Sequence, residues 1–354
     1  MRKQIVKVFW LCLFLIAGYA VTAAQSQVLD LPLRSQYAEV TQRIGVTNIT
    51  VKYSRPLVNG RKIWDGLVPY GQVWRVGANT NTTITFTDPV TIEGKPLDRG
   101  TYGLHAIPNA DQWTIIFSKN STSWGSFTYN KEEDALRISV RPEAEEMHNA
   151  LTFEFDELQP QSAVVDLKWE KIRIPIKVTV DVHAMVRASL AKQLRTLARY
   201  TWISWDDAAN YLLAEKIDLD VALAYANKSI ENEDRFDNEI TKSNVLTALN
   251  RQGEAASAER KALDLGTPFQ VHQFARDLMK ASRRDDAFKI FRENAQKHPD
   301  VWLVHDGLAR MYSAQGKIVE AKNEIRAALK NAPADQQKDL NELLKRLDAG
   351  QDIN

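Results

Sequence analysis

The hydrophobic period of this chain changes once, near Val182, and that change decides what it can fold into. Before it, apolar residues recur at every second position; after it, they recur at every third or fourth. The clearest alternating run places Ile172, Ile174, Ile176, Val178, Val180 and Val182 against Arg173, Pro175, Lys177, Thr179 and Asp181. A period of two buries one face of a strand and leaves the other wet. Pro175 on the wet set predicts an edge or a bulge. Similar runs carry Ile49, Val51 and Tyr53; Ile84 and Phe86; Leu136, Ile138 and Val140; Leu151, Phe153 and Phe155; and Val165, Leu167 and Trp169. Trp113, Ile115, Ile116 and Phe117 are apolar on both faces, as in a central strand. Residues 90–92, the turn Glu93-Gly94-Lys95 and residues 100–107 read as a hairpin. About nine such runs with no helical pattern between them predict an all-β antiparallel sandwich or barrel-like domain. It spans residues 25–182 and is not a βαβ fold.

Residues 183–354 carry the helical period and predict an all-α domain of helical-hairpin repeats. Leu190, Leu194 and Leu197 share one face of a first helix over 185–200. Further on, two stretches superimpose at an offset of 34 residues: Phe274, Ala275, Leu278, Ala287, Phe291 and Pro299 fall on Leu308, Ala309, Tyr312, Ala321, Ile325 and Pro333. That is a tetratricopeptide-like pattern, with small residues where paired helices touch and a proline at the exit. Ala222 with Ala226 and Ala258 with Ala262 keep the alanine pair but not the spacing. The reading is four hairpins over 202–333 and a capping helix over 334–347. Ser204 with Asp207, and Thr267 before Pro268, mark helix starts.

The N-terminus predicts export. Arg2, Lys3 and Lys7 precede an uncharged apolar run over 8–21, and small residues follow at Thr22, Ala23 and Ala24. This is the order of a secretory signal peptide, assigned to residues 1–24, and the run is shorter than the roughly 20 residues of a spanning helix. The expectation is a periplasmic or secreted protein with no stable membrane span after cleavage. Cys12, the one cysteine, lies in that run, so the mature chain has no disulfide and no thiolate. A net charge of +1 offers no field for nucleic acid.

The usual catalytic and phosphate-binding motifs are missing. The histidines stand at His105, His148, His183, His272, His298 and His305 without the spacing of metal ligands, so neither a metal nor another cofactor is expected. His105, within a strand pattern, is a structural histidine or else a general acid or base served by Asp65 or Asp111. Residues 54–81 break the strand rhythm with four glycines, Trp64, Tyr70, Trp74 and the arginines Arg55, Arg61 and Arg75. Guanidinium groups match carboxylate or phosphate, so these three are candidates for holding a small anionic ligand. Fixing loop carbonyls is the commoner use of such groups. Trp64, Trp74, Trp113 and Trp124 are core residues or a sugar-stacking surface.

Tyr53-Ser54-Arg55-Pro56, Gly60-Arg61, Ile63-Trp64, Leu67-Val68-Pro69-Tyr70-Gly71, Val73-Trp74-Arg75, Gly77-Ala78-Asn79 and Thr82-Thr83-Ile84 together resemble the exported bacterial family catalogued as domain of unknown function 2911. Gly100-Thr101-Tyr102, the run from Ser121 to Ser126 and Trp169-Glu170-Lys171 resemble it too. The resemblance implies a secreted or periplasmic protein of Bacteroidetes type and implies no activity. The family pattern carries an acidic residue after Asn79, where this chain has Thr80. Two main functional readings follow. One is a non-catalytic exported protein that binds a ligand or partner, with the helical repeats as a protein-interaction surface. The other is an envelope enzyme acting on a glycan, lipid or peptide, with His105 as acid/base and the loop arginines holding an anionic group. A purely structural role in envelope assembly is a third. Ligand-binding candidates are Arg55, Arg61, Trp74, Arg75, Asn79 and Trp124.

Overall fold

The computed structural model describes residues 32–354, so the signal-peptide assignment to residues 1–24 lies outside the described residues. The chain divides into two compact units after Val186. In the first, strands β1 (Gln36–Ile44), β2 (Thr47–Arg55), β3 (Thr83–Phe86), β6 (Gly100–Ile107), β7 (Trp113–Ser118) and β8 (Asp134–Val140) form one antiparallel sheet in the order β1-β2-β3-β6-β7-β8. Strands β4 (Val90–Ile92), β5 (Lys95–Leu97), β9 (Glu143–Gln159) and β10 (Ser162–Thr179) form a second, in the order β5-β4-β10-β9. The inward faces of both sheets share one apolar core, the arrangement of a β-sandwich. β1 and β2 pair over their whole lengths through a turn at Gly45, where φ is +58°. A Cβ there would come within 2.7 Å of a Val182 methyl, so both backbone and space require glycine.

Two details of the sandwich depart from the sequence reading. The hairpin after β4 closes onto β5 through Glu93-Gly94, whereas β6 pairs with β3 and β7 in the other sheet. A three-residue strand with Pro96 in it carries too little pattern to be read as its own element. The runs around Val165 and Ile174 are one strand, β10, in which the buried set switches from odd to even positions. The switch falls at Glu170, which has φ +54° at register shifts against β9: a bulge adds one residue and exchanges the faces. Pro175 lies between the part of β10 that pairs with β9 and the part that pairs with β4. Its missing N–H therefore breaks no rung of either ladder.

The second unit is helical. α1 (Val182–Gln193), within which the division falls, ends earlier than its period suggests, and a 3-10 turn (Leu197–Tyr200) holds the rest of that segment. Hairpins follow: α2 (Trp202–Glu215) with α3 (Leu219–Asn232), α4 (Phe236–Ala248) with α5 (Gln252–Leu265), α6 (Pro268–Lys280) with α7 (Arg284–Lys297), and α8 (Trp302–Ala314) with α9 (Ile318–Asn331). α10 (Ala334–Asp348) caps the array. Ala275, Ala287, Ala309 and Ala321 are fully buried, as close helix approach demands. α6 starts on a capping box: Thr267 Oγ1 accepts from Gln270 N–H at 3.3 Å, and Gln270 Oε1 accepts from Thr267 N–H at 3.1 Å. Ser204 does not start α2; it lies inside the helix, which begins after Thr201, and its hydroxyl meets the Thr201 hydroxyl at 2.7 Å. No helix among the described residues is long and apolar enough to cross a membrane.

Candidate functional site

The candidate side chains of the irregular segment are spent on carbonyls and hydroxyls of the β domain, within the segment and on its neighbours. Arg55 donates from Nε to the Leu151 carbonyl at 2.9 Å and from Nη2 to the Thr152 hydroxyl at 2.7 Å. Arg61 donates from Nε to the Val58 carbonyl at 3.1 Å and from Nη2 to the Leu57 carbonyl. Asn79, at φ +59°, donates to Ser54 Oγ at 3.1 Å and to the Ser35 carbonyl at 3.2 Å. These three side chains therefore brace the loop and do not converge on one pocket. Trp74 packs into the core, stacked on Trp169 at 5.8 Å with Trp64 edge-on to both, and Trp113 completes the cluster. That arrangement makes Trp64, Trp74 and Trp113 core residues, the first of the two readings of the four tryptophans. Of these residues Trp124 alone is exposed, at 61%. Thr80 lines a shallow groove of about 270 Å³ with Tyr37 and Lys52.

Arg75 and His105 do come together. Trp74 and Ala106 exchange both backbone hydrogen bonds at 2.8 Å in an antiparallel bridge, so Arg75 falls opposite His105 on the outer face of the six-stranded sheet. The Arg75 Nε is buried without a partner, its guanidinium lies against Gly125, and burial lowers its proton affinity. His105 is 2% exposed. Its Nδ1 sits 2.9 Å from Ser126 Oγ and its ring 5.3 Å from Tyr129, which donates to Asp134 at 2.8 Å. Burial pushes the His105 pKa down to about 4 against the opposing pull of Asp134, so the ring is neutral at pH 7. The carboxylate in this cluster is Asp134, not Asp65 or Asp111. Asp65 pairs with Lys62 on the surface at 3.8 Å, and Asp111 is exposed. A neutral imidazole packed under Ser126 and Tyr129 can pin the 119–133 segment to the sheet.

The second unit holds a more open arrangement, which the sequence reading missed. A cleft of about 430 Å³ lies among α6, α8 and α10. Phe269, Trp302 and Leu343 give it apolar walls, and Asp306 and Arg310 lie at its floor. His272 and Asp306 are each 3% exposed and Arg310 9%. Arg310 Nε donates to Asp306 Oδ2 at 2.9 Å, and His272 Nε2 stands 3.4 Å from the same oxygen. Asp306 Oδ1 and His272 Nδ1 are buried without partners. Burial lowers the His272 pKa to about 4, only partly offset by Asp306. Arg276, one helical turn from His272 on the same wall, has its proton affinity lowered by burial and then by Arg310. The signal was available in the sequence: His272 and Arg276 sit 34 positions before Asp306 and Arg310, so equivalent turns of adjacent repeats carry polar residues inward. Among the described residues, no group of three or more His, Cys, Asp or Glu is placed to hold a metal ion.

Residues 35–178 match the model of a family described as "Protein of unknown function (DUF2911)". No curated protein matches the chain. Among solved structures, it is similar to YrrB, described as a TPR protein with an unusual peptide-binding site. The identity is 18%, with 45% of this chain and 82% of the other covered, at a TM-score of 0.28. A likeness of that size carries no argument about a site.

Proposed function

Because the β domain belongs to the DUF2911 family, whose description names no activity, we propose on physical grounds that the chain is an exported, non-catalytic binding protein whose helical repeats hold a partner polypeptide. The observation that carries this is the cleft of about 430 Å³ among α6, α8 and α10, apolar at its walls and with partnerless buried polar atoms at its floor. Apolar walls supply affinity, and a few fixed polar groups supply orientation. Export rests on the basic, apolar and small-residue succession of residues 1–24. The enzymatic alternative has one observation in its favour, the Ser126 hydroxyl 2.9 Å from His105 Nδ1. The 2% exposure of His105 weighs against it, because an acid/base must reach its substrate.

The test is site-directed photo-crosslinking in the native host with the full chain. A crosslinking amino acid in place of Phe269, on the cleft wall, is expected to capture a discrete partner. The same group in place of Val319, 70% exposed on α9 and away from the cleft, is expected to capture none. Equal capture at both positions, or none at 269, refutes the reading. Fusing residues 1–24 to a leaderless phosphatase reports export directly.

A further inference from the structure

The floor of the cleft is asymmetric in charge and in hydrogen-bonding capacity. Arg310 is matched by Asp306, whereas Arg276 has no carboxylate within ion-pair distance among the described residues. With His272 neutral, the group of His272, Arg276, Asp306 and Arg310 carries one positive charge beyond its own carboxylate, localised at Arg276, while Asp335 and Asp339 stand exposed on the α10 side of the same cleft. It also presents one partnerless buried acceptor, Asp306 Oδ1. A ligand that completes this floor must bring an anionic acceptor for Arg276 and a hydrogen-bond donor for Asp306.

The same face of α8 already grips a non-helical stretch of chain. Asp306, Arg310 and Ser313 lie at i, i+4 and i+7, which places them in one row along the helix. At the far end of the row, Arg310 Nη1 donates to the Ile353 carbonyl at 2.8 Å, and Ser313 Oγ accepts from Ile353 N–H at 3.1 Å. The Ile353 side chain is 1% exposed in the apolar cluster of α9 and α10. Residues 351–354 thus show how the row holds a backbone: polar groups of α8 to the peptide unit, an apolar side chain into the adjacent core. The near end of the row, at Asp306, lines the cleft with one carboxylate oxygen, Oδ1, unfilled.

Building on the polypeptide-binding reading above, we infer that the cleft selects a peptide segment carrying a carboxylate beside an apolar residue. Arg276 takes the carboxylate, Asp306 Oδ1 accepts a main-chain N–H, and the apolar side chain enters between Phe269, Trp302 and Leu343. Arg276 is then the specificity-determining residue and Trp302 the affinity-determining one. A free guanidinium in a partly dry site favours an ionised over a neutral isostere by a charge-assisted hydrogen bond.

The probes are two fluorescein-labelled, C-terminally amidated hexapeptide libraries, one with a fixed Leu-Glu pair and one with Leu-Gln, titrated into the full chain by anisotropy. The Leu-Glu library is expected to bind about tenfold more tightly at low salt, the equivalent of one charge-assisted bond. Arg276→Gln abolishes the difference, bringing the two libraries to the same affinity. Arg276→Lys keeps a reduced preference. Trp302→Ala weakens both libraries alike. Thermal melts identify any variant that fails to fold, and Arg276, half-buried and outside the apolar clusters, tolerates the change. Equal binding of the two libraries by the wild-type chain overturns the carboxylate inference while leaving the polypeptide reading intact. Absence of binding by either library overturns both.

Discussion

Lowering the pH from 7 to 4 should leave the β domain almost as stable as before, through two opposed protonations that single substitutions separate. His105 is neutral in the fold, with its pKa moved by burial from 6.5 to about 4. The unfolded chain therefore takes up this proton first, and the stability that His105 contributes above about pH 6.5 is lost as pH falls towards 4. Asp166 runs the other way. It is fully buried, and burial raises its pKa from 3.8 to about 6, against the pull of Arg173, whose Nε donates to it at 2.8 Å. Here the folded chain binds the proton first, so stability rises as pH falls through about 6. At about 1.4 kcal/mol per tenfold in proton affinity, each change is roughly 3 kcal/mol. Their sum is near zero. Asp166→Asn should expose the His105 loss, roughly a hundredfold rise in the β-domain unfolding constant between pH 7 and 4. His105→Asn should expose an equal gain. Amide hydrogen exchange on β6 and β10, corrected for intrinsic rates, reads this domain without assuming that the whole chain unfolds in one step. If the two variants keep the wild-type pH dependence, or both shift it in one direction, the assignment of opposite signs is wrong.

Two further perturbations act in the helical unit. Arg310→Met leaves the Asp306 carboxylate buried without its cation and should destabilise α8 and α9 by about 3–5 kcal/mol; adding Asp306→Leu should restore most of that loss, and additive losses in denaturant-dependent exchange would contradict the coupling. Thr267→Ala removes the side-chain half of the α6 capping box and should cost about 1 kcal/mol, with the loss confined to the first turn of α6 in the same exchange measurement.

The fold was legible in the sequence wherever one periodicity ran unbroken. The alternation from Ile172 onward, the alanines at Ala275 and Ala309 and the Thr267-Pro268 start each carry a local physical demand that tertiary structure did not override. The misreadings sit where a single residue changes the phase or where an element is too short to have one. Glu170 exchanges the two faces of β10, so one strand looked like two runs, and β5 has only three residues, so β4 was joined to the wrong strand. The candidate residues divided for a different reason. Arg55, at the end of β2, and Arg61 and Asn79 in the loop satisfy nearby carbonyls and hydroxyls, and sequence cannot tell a guanidinium used that way from one held open. Arg75 and His105 are 30 positions apart in sequence and adjacent only through the Trp74–Ala106 bridge. The cleft residues were visible as a repeat, His272 and Arg276 over Asp306 and Arg310, but only when polar positions are compared at the offset that apolar positions had already revealed.

Partnerless buried polar atoms occur elsewhere in the molecule, and the differences among them explain why the cleft is singled out. Asp166 Oδ2 and Glu239 Oε2 are also buried without partners, yet the other oxygen of each meets a cation, Arg173 or Lys261, and neither residue lines the cleft. Their ion pairs hold surface charges together, and the desolvation is local. Asp306 also has its cation, but it lies where the chain leaves about 430 Å³ open beside an unmatched guanidinium and three exposed or half-buried apolar side chains. An unsatisfied buried acceptor costs about 1–3 kcal/mol, and an apolar residue at that turn of α8 would avoid the cost. A ligand donor recovers it only while bound. The free energy withheld from folding at Asp306 is then available to binding, and a segment that fills both Asp306 and Arg276 should raise the stability of α6, α8 and α10 together, leaving α2 and α3 unchanged.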